Sequence, residues 1–189
     1  MQKKILYFAK EGPTNTDETL RIALERANEL GIKDIVVATA YGDTALKASR
    51  IFDPEKFNLV AVTLSEGFMK AEKIEIVDDA LTKMKEANIK VLTGTHSLGQ
   101  NVNSAFTDKF GGKSFDGVVR ETLYRFCQGM KVCVEIVLMA TDAGLISIDR
   151  EVIAIAGTDR GADTAIVVKP SYPRTFLDFK IFEIIAKPR

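Results

Sequence analysis

Residues 34–63 read DIVVATAYGDTALKASRIFDPEKFNLVAVT, and hydrophobic period alone separates this stretch into three segments. Asp34-Ile35-Val36-Val37-Ala38-Thr39 is a short, nearly unbroken β-branched run, the pattern of a strand covered on both faces. After a turn at Tyr41-Gly42-Asp43, the residues Ala45, Ala48 and Ile51 recur at helical spacing. Beyond Pro54, Leu59-Val60-Ala61-Val62-Thr63 is a second β-branched run. Strand, helix and strand in this order make a crossover unit, which joins two parallel strands through a helix packed on the sheet.

The alternation continues on both sides. Upstream, residues 5–9 predict a strand. Leu20, Ala23, Leu24, Ala27 and Leu30 predict a helix with Thr16 as its N-cap and Gly31 as its stop. Downstream come a polar loop beginning Ser65-Glu66-Gly67, a helix over residues 78–87 and a strand over residues 90–93. Residues 97–115 are glycine-rich and without period, which predicts an irregular excursion or a short helix, and helices resume at Asp116. Residues 130–143 are apolar on nearly every side, as in a central buried helix. Residues 152–156 and 164–168 are two more strands. After a turn at Pro170 and Pro173, residues 176–186 return as a seventh strand, antiparallel to the sixth. The expected fold class is α/β, a three-layer, open, doubly wound, mostly parallel sheet with an antiparallel edge hairpin, in one domain spanning residues 1–189.

Composition narrows the partners. The chain has 189 residues and is 46% hydrophobic, enough for one core of ordinary size. Its 26 basic and 26 acidic side chains cancel, so no summed field draws it to nucleic acid or to an anionic membrane, and a small-molecule ligand is expected instead. No apolar run approaches the ~20 residues that cross a bilayer. The N-terminal apolar stretch is too short for a signal-peptide core, so a cytoplasmic location is expected. Cys127 and Cys133 lack redox or metal-ligand spacing and read as small buried hydrophobes. Self-association into a homo-oligomer stays open at this level.

In open α/β sheets ligands collect beyond the carboxyl ends of the strands, so candidate residues are sought in the loops there. The first candidate is Thr39-Ala40-Tyr41-Gly42-Asp43-Thr44-Ala45. Gly42 would let the backbone approach a ligand, the amides of Asp43, Thr44 and Ala45 lie at a positive helix end, and Thr39 and Thr44 add hydroxyls. A plain turn capped by Asp43 is the competing reading. The second is Gly157-Thr158-Asp159-Arg160-Gly161-Ala162, where Arg160 could clamp a phosphate or lie beside a ring; a solvated turn between strands competes. Thr14, Asn15 and Thr16 form a third cluster, adjoining the first if strands one and two are neighbours, with simple N-capping as the alternative. Ser65-Glu66-Gly67-Phe68-Met69, with Gly67 and Phe68 at its centre, could offer an apolar wall to a ring; an ordinary connecting loop competes. His96, the only histidine, sits after the fourth strand as an acid, a base or a lining group. A lone histidine without paired acids makes a metal site unexpected. Gly111-Gly112-Lys113-Ser114 imitates the end of a phosphate loop but lacks its first glycine and a preceding strand.

The strand Ile35-Val36-Val37, then Thr39, Gly42, Thr44 and Ala45, then Ser49-Arg50 and the strand of residues 59–63, resemble the carboxyl-terminal α/β domain of pyruvate kinases. Gly157 through Thr164 resembles the other effector-site loop of that domain. The resemblance implies a phosphate held on the Gly42 loop. Nothing corresponds to the pyruvate kinase barrel, so no pyruvate kinase activity is implied, and Tyr41 and Asp43 replace the smaller or basic side chains of the activator loop. Stand-alone archaeal domains similar to this chain are associated with flavin mononucleotide (FMN). That likeness implies FMN as cofactor, its ring against the loop from Gly157 to Ala162 and near Tyr41 or Phe68, and an FMN-dependent oxidoreductase as one form of the activity. The alternatives are a non-catalytic sensor of a sugar phosphate or nucleotide, and a hydrolase or transferase using His96 or Asp159. No catalytic residue is assigned.

Overall fold

In the computed structural model, which describes residues 2–72, 76 and 78–189, the β-branched runs pair into one sheet. Its strands are β1 (Leu6–Phe8), β2 (Asp34–Ala38), β3 (Asn58–Val62), β4 (Lys90–Leu92), β5 (Val152–Ala156), β6 (Thr164–Lys169) and β7 (Lys180–Pro188), in the order β1-β7-β6-β5-β2-β3-β4. Every described pairing is parallel except the two made by β6. The antiparallel hairpin of β6 and β7 is present, one strand in from the edge, because β1 adds outside it in parallel with β7.

Helices α1 (Thr16–Leu30), α2 (Asp43–Ile51) and α4 (Asp78–Glu86) lie on one face, and α6 (Phe115–Tyr124) and α7 (Gln128–Asp142) on the other. The two-residue period of a strand divides the core between them. Ile35, Val37, Leu59 and Ile153 pack with Leu20, Ala48 and Phe52, while Val36, Val60, Ala154 and Ile166 pack with Cys133, Val137 and Ala140. Helix α7 is apolar all round because it is covered twice, by the sheet beneath it and by α6 and the 3-10 turn Pro173–Asp178 around it. Each fully buried aliphatic side chain of this layer contributes about 1.5–3 kcal/mol. Among the described residues no helix is long and apolar enough to cross a membrane.

Several local expectations are corrected. The polar loop at Ser65-Glu66-Gly67 begins a short helix, α3 (Glu66–Glu72); of the two readings for residues 97–115, the short helix is the one found, as α5 (Val102–Phe110), capped by the Asn101 side chain accepting from the Ser104 amide at 3.2 Å. Short amphipathic helices of this kind carry too few apolar residues to show a period. Thr16 is not an N-cap: the 3-10 turn Pro13–Asn15 precedes it, and it is the first residue of α1. β1 and β2 are not neighbours, since β7, β6 and β5 lie between them.

From β2 the chain moves outward to β3 and β4 on one side, while β5 enters on the other. The crevice between β2 and β5 is therefore the switch point, where flanking loops diverge and leave space for a ligand. One buried carboxylate ties down the loops beside it. Asp163, fully buried, accepts from the Gly12 amide at 2.9 Å, from the Thr158 amide at 3.2 Å and from the Thr164 hydroxyl at 2.8 Å. Asp163→Ala orphans one buried and one partly buried amide and should lower unfolding free energy by about 2–5 kcal/mol, with Asp163→Asn recovering part of the loss, read by urea denaturation.

Candidate functional site

The turn from β2 into α2 is shaped from within. The Gly42 amide donates to the Thr39 hydroxyl at 3.0 Å, and Gly42 adopts φ 93°. A Cβ there would stand 2.6 Å from the Ala80 Cβ, so the missing side chain makes room for α4, not for a ligand. The first backbone amide to bond back is that of Leu46, to the Gly42 carbonyl at 3.1 Å. The amides of Asp43, Thr44 and Ala45 precede it at the positive end of the helix, without intrahelical acceptors. The Ala45 side chain is packed into the core, while Thr39, Tyr41, Asp43 and Thr44 line a cleft of about 450 Å³.

The loop after β5 closes the cleft from the other side of the switch point. Nε of Arg160 donates to the Asp43 carboxylate at 2.9 Å, and the guanidinium lies 5.0 Å from the centre of the Tyr41 ring. The Asp43 hydrogen bond and charge hold the Arg160 pKa above its ordinary value. The other Asp43 oxygen, Oδ1, is buried without a protein partner, as is the Thr158 hydroxyl. Gly157, Asp159 and Gly161 also line the cleft. Gly161 has φ 75°, and a Cβ on it would approach the Thr16 hydroxyl to 2.5 Å.

Asn15, Thr16, Thr158 and Ala162 are not among the cleft residues. The Ala162 amide donates to the Thr16 hydroxyl at 2.9 Å, and the Asn15 side chain donates to the Lys10 and Gly12 carbonyls. The bond between Thr16 and Ala162 joins the turn after β1 to the loop after β5, although β7 and β6 lie between those two strands, while the Asn15 bonds hold the turn itself. Gly67, in the first turn of α3, lies outside the cleft as well, whereas Phe68, one residue later, faces into it.

The far wall holds residues that loop motifs did not reveal. Lys131 and Glu135, one turn apart on α7, form an ion pair, both almost completely buried. Glu135 Oε1 also accepts from the Leu98 amide at 2.9 Å. Tyr124 and Gln128 stand beside them on the cleft wall. The sequence signal for this pair is a lysine and a glutamate at i and i+4 within a helix otherwise apolar on all sides. Burial raises the Tyr124 pKa first, with the Glu135 charge adding to it, so the phenol keeps its proton.

His96 lies at the rim, its ring 6.4 Å from that of Phe68. Its Nε2 accepts from the Ser65 amide at 3.2 Å, which leaves the ring proton on Nδ1. Burial lowers its pKa; the nearby Glu135 charge opposes this and the Lys131 charge adds to it. A histidine with a lowered folded pKa binds fewer protons than the unfolded chain, so its share of stability is complete above pH 6.5 and is lost as pH falls through the folded value. Because the chain has one histidine, its ring resonances are unambiguous, and an NMR titration should show a midpoint below the ordinary 6.5.

Among the described residues the cleft carries four carboxylates, Asp43, Glu72, Glu135 and Asp159, against the cations of Arg160 and Lys131, each already paired with an acid. The free donors at this end of the cleft are thus the amides and hydroxyl at the start of α2, and no net positive charge accompanies them. Residues 17–168, which hold most of the sheet and the α-helices from α1, save its first residue, to α7, match the family model for the pyruvate kinase alpha/beta domain. The chain belongs to the pyruvate kinase alpha/beta domain family.

Proposed function

We propose that this protein binds a small molecule carrying one phosphate and a planar ring, flavin mononucleotide, in the cleft between the ends of β2 and β5. The observation that carries the reading is the start of α2 at the switch point. There Asp43 and Thr44, whose amides lie in the first turn without intrahelical acceptors, line the cleft together with the Thr44 hydroxyl. The Asp43 carboxylate, which would repel a phosphate, is neutralised by Arg160. A volume of about 450 Å³ lies within the range of small-molecule pockets.

The remaining walls suit a ring that is apolar on its faces and polar at its edge. Phe68, Val132 and Met139 supply apolar surface, and Lys131, His96 Nδ1–H and the Tyr124 hydroxyl supply donors. The orphaned Asp43 Oδ1 calls for a donor such as a hydroxyl of the chain that links phosphate to ring. Flavin, when bound, supplies two-electron redox chemistry, and the protein's part is to seat the phosphate, exclude water from the ring and set the charge around it. The acid excess weighs against a sugar bisphosphate, because no unpaired cation is left among the described cleft residues for a second phosphate.

FMN added to the purified protein should lose fluorescence and raise the melting temperature, by about 2.7 kcal/mol of added stability at a hundredfold excess over Kd. Riboflavin, lacking the phosphate, should bind about 100-fold more weakly, the worth of roughly two charge-assisted hydrogen bonds. Thr44→Val should weaken FMN by about tenfold and leave riboflavin affinity unchanged. Absence of quenching and of a thermal shift with FMN would reject the reading; equal affinity for FMN and riboflavin would reject the phosphate seat.

A further inference from the structure

We propose that Lys131 is the residue that sets the electron affinity of the ring held in this cleft, with Glu135 as the carboxylate that positions it. The inference rests on the flavin reading above and assigns a role to residues that the phosphate seat does not use.

Packing alone does not call for this pair. Lys131 is 7% exposed and Glu135 4%, in a helix whose neighbours are otherwise apolar. Burying two charges costs several kcal/mol per ion before their attraction offsets it, and apolar residues of similar size would pack there more cheaply. Glu135 is fixed at both oxygens, one on Lys131 and one on the Leu98 amide. Lys131 is satisfied on one side only. An ammonium has three donors, and among the described residues Glu135 is its only acceptor, so two donors of a nearly buried cation are left for whatever occupies the cleft.

The other cation, Arg160, is poorly placed for this role. Its side chain is 55% exposed, its charge is met by Asp43, and its guanidinium lies over Tyr41. Water screens a charge so exposed, whereas the field of a desolvated ammonium reaches its neighbours at low effective dielectric. A positive charge beside a ring that accepts electrons favours the reduced ring over the oxidised one.

Three proteins test this: wild type, Glu135→Gln, and the double variant Lys131→Met/Glu135→Gln. Both variants keep a carbonyl to receive the Leu98 amide, and the double variant leaves no unpaired buried charge. FMN is titrated into each, melting curves establish folding, and the midpoint potential of bound FMN is then measured. Glu135→Gln removes the compensating negative charge and should raise the potential above wild type. The double variant removes the cation too and should lower it below wild type, by a tenfold or greater loss in the reduced-over-oxidised binding ratio, about 30 mV for a two-electron couple.

A purely structural role would move both variants in the same direction or not at all, and either result overturns the proposal. Should the double variant fail to fold, an unchanged or lowered potential in Glu135→Gln alone overturns it. If wild type does not bind FMN, the flavin reading fails and this inference falls with it. If it binds and the three potentials agree, only the role of Lys131 is lost.

Discussion

The carboxylate of Asp163 is the constraint on which the carboxyl edge of this sheet depends. It is fully buried, and it is satisfied by two backbone amides from different turns and by the hydroxyl that opens β6. A buried carboxylate tolerates no vacancy among its donors, because a lost hydrogen bond there leaves an uncompensated charge at low dielectric. The turn after β1 and the loop after β5 are therefore held in one geometry. That geometry presents Arg160 across the switch point to Asp43, so the shape of the cleft mouth follows from a residue that does not line it.

Two ion pairs divide the labour in the cleft. The pair at the mouth, Arg160 with Asp43, is half in water, and the guanidinium offsets the charge of the carboxylate beside it. The pair on the far wall, Lys131 with Glu135, is almost dry, so its charges are strong and its cost is real. Both follow the same economy of arrangement. Each cation is oriented by an acid of this chain, and any ligand meets charges already in place, without reorganisation at the moment of binding.

How much of the site could be read from the chain differs by wall. The α2 end was legible, because a strand followed by Gly42 and two threonines at a helix start is a local pattern with a local cause. The role assigned to Gly42 was not, since only the packed structure shows Ala80 occupying the space that its hydrogen leaves. Thr16 and Ala162 stood as candidates in loops at the correct end of the sheet, yet they bond to each other and stay away from the cleft. Glu135 is legible in the sequence only as a charge interrupting an apolar run, and nothing there marks it or Lys131 as belonging to a site. A buried-helix pattern says that a segment is covered without saying which of its faces meets a cavity.

The sequence by itself determined the elements and the class of their assembly. Nearly unbroken β-branched runs alternating with period-3.6 helices leave few arrangements besides a mostly parallel sheet covered on both faces, and glycine and proline mark most of the boundaries. These are effects between residues near in the chain, where pattern and geometry are tied together. Only the tertiary structure decided strand order, and with it which loops meet. β1 stands at the outer edge, separated from β2 by three strands, so the turn at Thr16 supports the Arg160 loop and not the Gly42 turn. Such neighbourhoods arise from how whole layers pack and from where one buried carboxylate finds its donors, contacts spanning up to about 150 residues of chain that no local pattern encodes.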